Sequence, residues 1–158
     1  MKTFEKFIAS NLFRKRKELP REVKNLGHVI RFFLNNHIDP DWSAFIREHQ
    51  PKDKKNDNII YISIDPNDLG STPNFVNLYY NSNTKELMIA ILPQPNCKEL
   101  VDIQNFLEYI IKDYNEDRIV NPNLGPHFFI TIDKIPEIAK RLNSNEFELF
   151  INANKYNV

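Results

Sequence analysis

Residues 75–92, FVNLYYNSNTKELMIAIL, decide the fold that this sequence predicts. Two apolar runs, 75–80 and 86–92, flank the polar segment NSNTK, a pattern that is typical of a β-hairpin. Both faces of the second run are apolar, so we expect that strand to lie in the centre of a sheet. The hairpin therefore predicts a sheet to which the rest of the chain adds.

Three further segments have the composition or alternation of strands: IIYISI (59–64), HFFITI (127–132) and EFELFIN (146–152). Helical spacing of apolar residues predicts helices at 98–115 and 135–142. We expect a mixed, roughly five-stranded sheet, because crossover helices bring some of the strands parallel to one another.

The first 55 residues have helical spacing instead. The predicted helices are 3–17, a helix that runs from Pro20 to Leu34, and a short third helix that Asp41 caps and that holds Trp42, Phe45 and Ile46. The polar segment 51–58 reads as a linker. The predicted fold is α+β within a single domain, 1–158. A helical segment (1–55) packs on a sheet-containing segment (56–158) with a central hairpin and crossover helices.

The composition predicts a soluble globular protein. It has 158 residues, of which 41% are hydrophobic and 27% are charged. No stretch approaches the ~18 apolar residues that span a bilayer. Because Glu5 and Lys6 interrupt the apolar run that a signal peptide needs, we expect the first residues to form an amphipathic helix instead. Cys97 is the only cysteine, so an internal disulfide is excluded. We expect a cytoplasmic location; frequent Asn and scarce Ala are typical of AT-rich bacterial genes.

Charge is zero overall but unevenly spread. Residues 1–55 carry 13 Lys/Arg against 7 Asp/Glu, a net +6, and residues 56–158 carry the balancing −6. Such a division is typical of a charged binding face, or of two halves that attract each other within the fold.

The segment YISIDPNDLGST (61–72) places Asp65 and Asp68 just after a predicted strand. If Asp133, at the end of the strand 127–132, lay beside them, three carboxylates would meet at one sheet edge and could bind Mg²⁺ or Mn²⁺. Asp-Pro and Asp-Leu-Gly are also ordinary turn sequences, and Asp133 suits a helix cap. We favour the turn interpretation and predict no metal and no cofactor.

Other reactive residue types form no recognisable motif. The histidines, His28, His37, His49 and His127, have no metal-ligand spacing, and no catalytic signature surrounds Cys97. The basic run Arg14–Lys17 favours nucleic-acid binding, but it also stands at the end of a predicted helix, where the helix dipole favours cations.

Carboxylates at the end of the predicted helix 98–115 break that dipole rule. Asp113, Glu116 and Asp117 lie where the dipole disfavours negative charge, so we interpret them as part of a binding surface. The predicted partner-binding residues are Asp65, Asp68, Tyr79, Tyr80, Asp113, Tyr114, Glu116 and Asp117.

The function that we favour is a non-enzymatic protein-binding module, an immunity or antitoxin-type protein that neutralises a toxin by direct binding through an acidic surface. The predicted partner is another protein, such as a basic toxin domain. We expect no membrane partner and do not favour a nucleic acid as the partner. The alternative is a metal-dependent hydrolase or nuclease that uses Asp65, Asp68 and Asp133. A third interpretation is nucleic-acid binding through Arg14–Lys17.

Overall fold

A computed structural model describes residues 18–37, 44–50, 58–65, 75–92, 98–116 and 127–156. Its helices and strands follow in the order α1 (Arg21–His37), β1 (Phe45–His49), β2 (Ile59–Asp65), β3 (Val76–Asn81), β4 (Glu86–Ile91), α2 (Lys98–Ile111), β5 (His127–Thr131), α3 (Ile135–Leu142) and α4 (Glu146–Tyr156). Short 3₁₀ turns follow α2 and β5. The predicted α+β class is confirmed.

The five strands form one sheet in the order β1-β2-β3-β4-β5. Every neighbouring pair in that described sheet is antiparallel, so the expectation of mixed pairing was wrong. The reason lies in the connection through α2. After α2 the chain returns to the end of the sheet at which β4 finishes, so β5 starts there and runs antiparallel to β4. The segment α2 therefore connects antiparallel neighbours and does not cross over to a parallel strand.

The central hairpin β3–β4 is confirmed, and Asn81 explains its turn. The Asn81 Oδ1 atom accepts hydrogen bonds from the backbone N–H groups of Asn83 (2.9 Å) and Thr84 (3.2 Å). The N–H of Lys85 bonds to the carbonyl oxygen of Asn81 at 2.8 Å and closes the loop. Lys85 has φ 59°, the left-handed region that favours glycine, so the turn stores some backbone strain.

The core lies between one face of the sheet and the helices. Apolar side chains of alternate strand positions are buried there, including Ile60, Ile62, Leu78, Leu87 and Ile89. Helix α1 comes close to the sheet at the buried Gly27, where an added Cβ would stand 3.4 Å from Ile62 Cδ1 and 3.8 Å from Ile46 Cδ1. Phe106 of α2 is fully buried among the helices.

Two elements were predicted with the wrong type of secondary structure, one as a helix and one as a strand. The helix predicted around Trp42, Phe45 and Ile46 is strand β1, because residues 45–49 pair with all of Asp65–Tyr61 in β2. The strand predicted at 146–152 is helix α4, because the side chains that reach the core are Phe147 and Phe150, which are spaced as in a helix. The predicted helix 3–17 and Trp42 lie outside the described residues, as does the linker apart from Asn58.

The outer edge of β5 is hydrogen-bonded to the residues that follow α2. The backbone N–H of Phe129 donates to Asn115 Oδ1, and the N–H of Glu116 donates to the carbonyl oxygen of Phe129, both at 2.9 Å. Both polar backbone groups of Phe129 are therefore satisfied without a sixth strand.

Candidate functional site

The sheet face that points away from α1 carries polar and aromatic side chains. Along β2, alternate residues Ile60, Ile62 and Ile64 enter the core, so Tyr61, Ser63 and Asp65 point to the opposite face. The antiparallel register continues that face across all five strands. We call its half-buried members His49, Tyr61, Tyr79, Met88 and Phe129 the open sheet face.

Three of these side chains form an aromatic row. The register places His49 opposite Tyr61, and Tyr61 opposite Tyr79. The His49 and Tyr61 rings stack with centroids 4.1 Å apart and planes 11° apart. The rings of Tyr61 and Tyr79 lie 5.2 Å apart. Cross-strand aromatic pairs stabilise a sheet and give it a rigid surface.

Beside this row lies a shallow groove of about 140 Å³. Its lining is mostly apolar and comes from four strands: Ile59, Tyr79, Asn81, Glu86, Met88 and Phe129. Sites for whole cofactors are usually cavities of about 300–1,000 Å³, so this groove has the size for one or two inserted side chains.

His49 and Ser63 form a pair that resembles a base and a nucleophile. A hydrogen bond of 2.9 Å joins His49 Nε2 to Ser63 Oγ. Ser63 is only 1% exposed, so no substrate carbonyl can approach its oxygen in this conformation. The contact therefore acts as a structural hydrogen bond that fixes the ring of His49 against Tyr61.

Asp65 is buried at the end of β2, and its Oδ1 atom has no hydrogen-bond partner among the described residues. Its Oδ2 atom lies 4.0 Å from Nε of Arg47, whose side chain is half exposed. Burial raises the pKa of the Asp65 carboxyl, and the charges of Arg47 and His49 oppose that rise in part. The Oδ1 atom of Asn77 is also buried and receives no hydrogen bond from the part of the chain that the structure describes, while its Nδ2 donates to the Tyr79 hydroxyl at 2.9 Å.

The strand order separates Asp65 from Asp133. Strands β2 and β5 run antiparallel to each other with β3 and β4 between them, three strand spacings or about 14 Å apart. Asp65 lies where β2 ends, at one end of the strands, and Asp133 follows β5 at the opposite end of the strands. The premise of the metal site, two parallel neighbouring strands, was therefore wrong, and Asp133 cannot join Asp65. Asp68 lies outside the described residues.

No group of three His, Cys, Asp or Glu side chains in the described ranges could hold a metal ion. His127 is buried at the start of β5, and His28 is exposed on α1. His37 packs between aromatic rings, and Cys97 lies outside the described residues.

The structure explains Asp113 by a partner far along the chain. Asp113 Oδ2 accepts a hydrogen bond of 2.9 Å from Arg141 Nη1 in α3. Arg141 also donates from Nε and Nη2 to the Glu146 carboxylate at 3.0–3.1 Å and lies over the ring of Tyr114. Its bonds to Glu146, Tyr114 and Asp113 raise the pKa of Arg141. The carboxylate that the helix dipole disfavours is thus held by an ion pair within the fold.

The other predicted binding residues that the structure describes have different surroundings. Tyr80 is 6% exposed on the core side of β3, whereas Tyr79 points to the open sheet face. Tyr114 packs against the core, and Glu116 is exposed beside β5. Asp117 and the basic run Arg14–Lys17 lie outside the described residues. Of the predicted residues, Tyr80 is thus a core residue, and Tyr79 belongs to the open sheet face.

A second concavity lies on α1, beside the exposed ring of Phe32. Its lining includes His28, Arg31 and Asn35. Arg31 Nε donates to the carbonyl oxygen of Ala44 at 3.1 Å, and Asn35 Oδ1 accepts from the Ala44 N–H at 2.7 Å. Both side chains therefore anchor the start of β1 to α1, which gives this concavity a structural role.

Sequence reasoning missed His49, Tyr61, Met88 and Phe129 as members of a surface. The strand alternation of IIYISI already separates Tyr61 from its isoleucine neighbours, which is a usable signal. His49 was hidden because its segment was predicted to be helical.

Comparisons of the chain with known proteins found no relative. No family model, curated protein or solved structure matches the chain. Among the described residues, no helix has both the length and the apolar character that a membrane crossing requires.

Proposed function

We propose that this chain is a non-enzymatic protein-binding module and that the open sheet face is its contact surface. The observation that carries the proposal is the row of half-buried rings His49, Tyr61 and Tyr79, which continues into the apolar groove at Met88 and Phe129. Aromatic residues and Met are enriched in the centres of protein–protein interfaces. Rigid rings lose little entropy on binding, so they serve as anchors.

The charges of this face favour a protein over a nucleic acid. In its described part the charged side chains that reach the surface are Arg47 and Glu86, one cation and one carboxylate, since Asp65 is buried. Nucleic-acid surfaces need an excess of Lys and Arg to displace counterions from phosphates. An aromatic face with this charge balance is better suited to a protein surface.

Within this class we propose an immunity or antitoxin-type inhibitor, which neutralises a toxin by covering it. Such an inhibitor needs no reacting residues of its own. The net charge of −6 over residues 56–158, which include four of the five strands, suits a basic partner. The proposed contact is centred on the aromatic row, whereas the carboxylate Asp113 is engaged by Arg141.

The test compares two truncations on the open sheet face with a matched one elsewhere. Tyr79→Ala removes the ring that belongs to both the aromatic row and the groove, and Met88→Ala removes an apolar side chain that lines the groove. Phe32→Ala is the control, because Phe32 is an aromatic side chain that is 62% exposed on α1. Each chain is immobilised, proteins captured from host lysate are quantified, and the captured partner is then titrated by calorimetry.

We expect Tyr79→Ala and Met88→Ala each to weaken the affinity about tenfold or more, and Phe32→Ala to leave it unchanged. Circular dichroism melts confirm that each variant is folded. Equal affinity for all four chains would refute the surface. A captured partner that fails to arrest growth when expressed alone would refute the inhibitor class while leaving the binding surface intact.

A further inference from the structure

Helix α4 is joined to the rest of the molecule mainly through aromatic rings on one of its faces. The ring of Phe147 lies 5.1 Å from that of Phe33 and 5.0 Å from that of Phe106. The ring of Phe150 lies 5.4 Å from Phe106 and 5.1 Å from Tyr109. The opposite side of α4 is exposed at Leu149.

His37, the last residue of α1, belongs to the same contact. Its ring centroid lies 4.7 Å from that of Phe33 and 4.4 Å from that of Phe147. The imidazole therefore separates the end of α1 from the first turn of α4. A neutral ring packs there as another aromatic group, whereas an imidazolium must keep water around its charge.

The surroundings of His37 favour the neutral ring. Half-burial lowers the pKa of His37, and the carboxylate of Glu148, the charged group that faces it from α4, opposes that effect in part. From α1 itself the neighbouring side chain is the uncharged ring of Phe33. Packing of α4 and protonation of His37 are thus coupled, because both involve the same contact.

We infer that His37 makes the packing of α4 sensitive to pH, with the helix fully packed when the ring is neutral and loosened when the ring is charged. The packed state binds the proton less tightly than the released state. The packing is therefore fully stable above the ordinary His pKa of 6.5 and weakens as the pH falls below it.

The ion pairs at the start of α4 do not produce this effect. Arg141 binds Glu146 and Asp113, whereas histidine is the side-chain type whose ordinary pKa places its change of charge between about pH 5 and about pH 8.

The test is amide hydrogen exchange of residues 146–156 in the intact chain at about pH 8 and about pH 5, corrected for the intrinsic exchange rate. We expect the protection of α4 to fall by about threefold or more at the lower pH, while strands β2 to β4 keep theirs. In the wild type, an NMR titration of the His37 ring should have the same midpoint as the shift of the Phe147 amide.

Two variants isolate the histidine. His37→Phe keeps a ring of similar size without a titratable group, so its α4 should keep the same protection at both pH values. Glu148→Gln removes the opposing carboxylate, so the midpoint of the α4 transition should move to lower pH. An equal loss of protection in His37→Phe would overturn the inference, as would different midpoints for His37 and Phe147 in the wild type. The second outcome needs no variant to fold.

Discussion

Replacing Asp65 with Asn should stabilise the protein. The carboxyl group is buried, its Oδ1 atom has no donor within the described ranges, and its attraction to Arg47 acts across 4.0 Å from a half-exposed side chain. Asn has the same shape without the charge. It also brings N–H donors to a face on which Asn77 Oδ1, diagonally across the neighbouring strand, lacks a donor.

The expected gain follows from two opposing contributions. A buried acceptor that is left without a hydrogen bond costs about 1–3 kcal/mol, and an ion pair with a half-exposed partner returns at most about 1 kcal/mol. The balance is unfavourable for the charged form. Asp65→Asn should therefore raise the free energy of unfolding by about 1 kcal/mol at neutral pH.

The pH dependence of that gain identifies its cause. Because burial raises the pKa of Asp65 above its ordinary value of 3.8, the folded state takes up the proton more readily than the unfolded state. Wild-type stability from this group is full below pH 3.8 and is lost as the pH rises through the raised pKa. The advantage of Asp65→Asn should thus be largest at neutral pH and should shrink toward zero in acid.

Urea unfolding of both chains at several pH values measures the difference, with Asp133→Asn as a control for loss of charge at an exposed site. The control should change stability by less than about 0.5 kcal/mol. A loss of stability in Asp65→Asn of about 1 kcal/mol at neutral pH would refute the reasoning. It would show that the ionised carboxylate holds a partner that its Oδ1 atom does not have in this structure.

Three other predictions concern packing, backbone strain and the ion pairs. Phe106→Ala empties the fully buried site between Phe33, Phe147 and Phe150 and should cost about 3–5 kcal/mol in urea unfolding, whereas Leu149→Ala, at a 59% exposed position, should cost under about 0.5. A comparable loss at both positions would contradict the described core. Lys85→Gly removes the side chain that disfavours the positive φ of the hairpin turn. It should raise the free energy of unfolding by about 0.5–1 kcal/mol and with it the melting temperature, whereas a lower melting temperature would rule out backbone strain at Lys85. Glu146→Gln weakens the paired hydrogen bonds from Arg141 and should lower the free energy of unfolding by about 1 kcal/mol. Asp113→Asn should lower it less, because the Asp113 carboxylate is half exposed. High salt should reduce the difference in stability between the two variants, and a difference that salt does not change would exclude ion pairing as its source.

Elements with a long or unambiguous period were predictable from the sequence. Helix α2 and the hairpin β3–β4 repeat their apolar spacing over enough residues to separate a helix from a strand. Strand β1 has only five residues, over which the two periods overlap, and its conformation depends on pairing with β2. For α4, the alternation of Phe147, Leu149 and Ile151 indicated a strand. Asn145, with Glu148 three residues later, is a helix-start signal that was present in the sequence.

The candidate site was less predictable, because it depends on register and on distant residues. Tyr79 was named from the sequence, but its alignment with Tyr61 and His49 follows from the pairing of three strands. The position of the Asp113 carboxylate at a helix end, where the dipole disfavours it, is explained by its ion pair with Arg141. Arg141 lies 28 residues later, so no local pattern in the sequence reveals the pair. The separation of Asp65 from Asp133 required the strand order.

The bonds from Asn115 and Glu116 to Phe129 also bear on aggregation. A strand with unused peptide groups along its margin is a template on which further copies of a chain can polymerise into fibrils. Here a side-chain amide and one backbone amide already use the hydrogen-bonding groups of Phe129, so an incoming strand would have to displace them first. Asn115 and Glu116 therefore protect the margin of β5 at Phe129 from the strand pairing with which fibril growth begins.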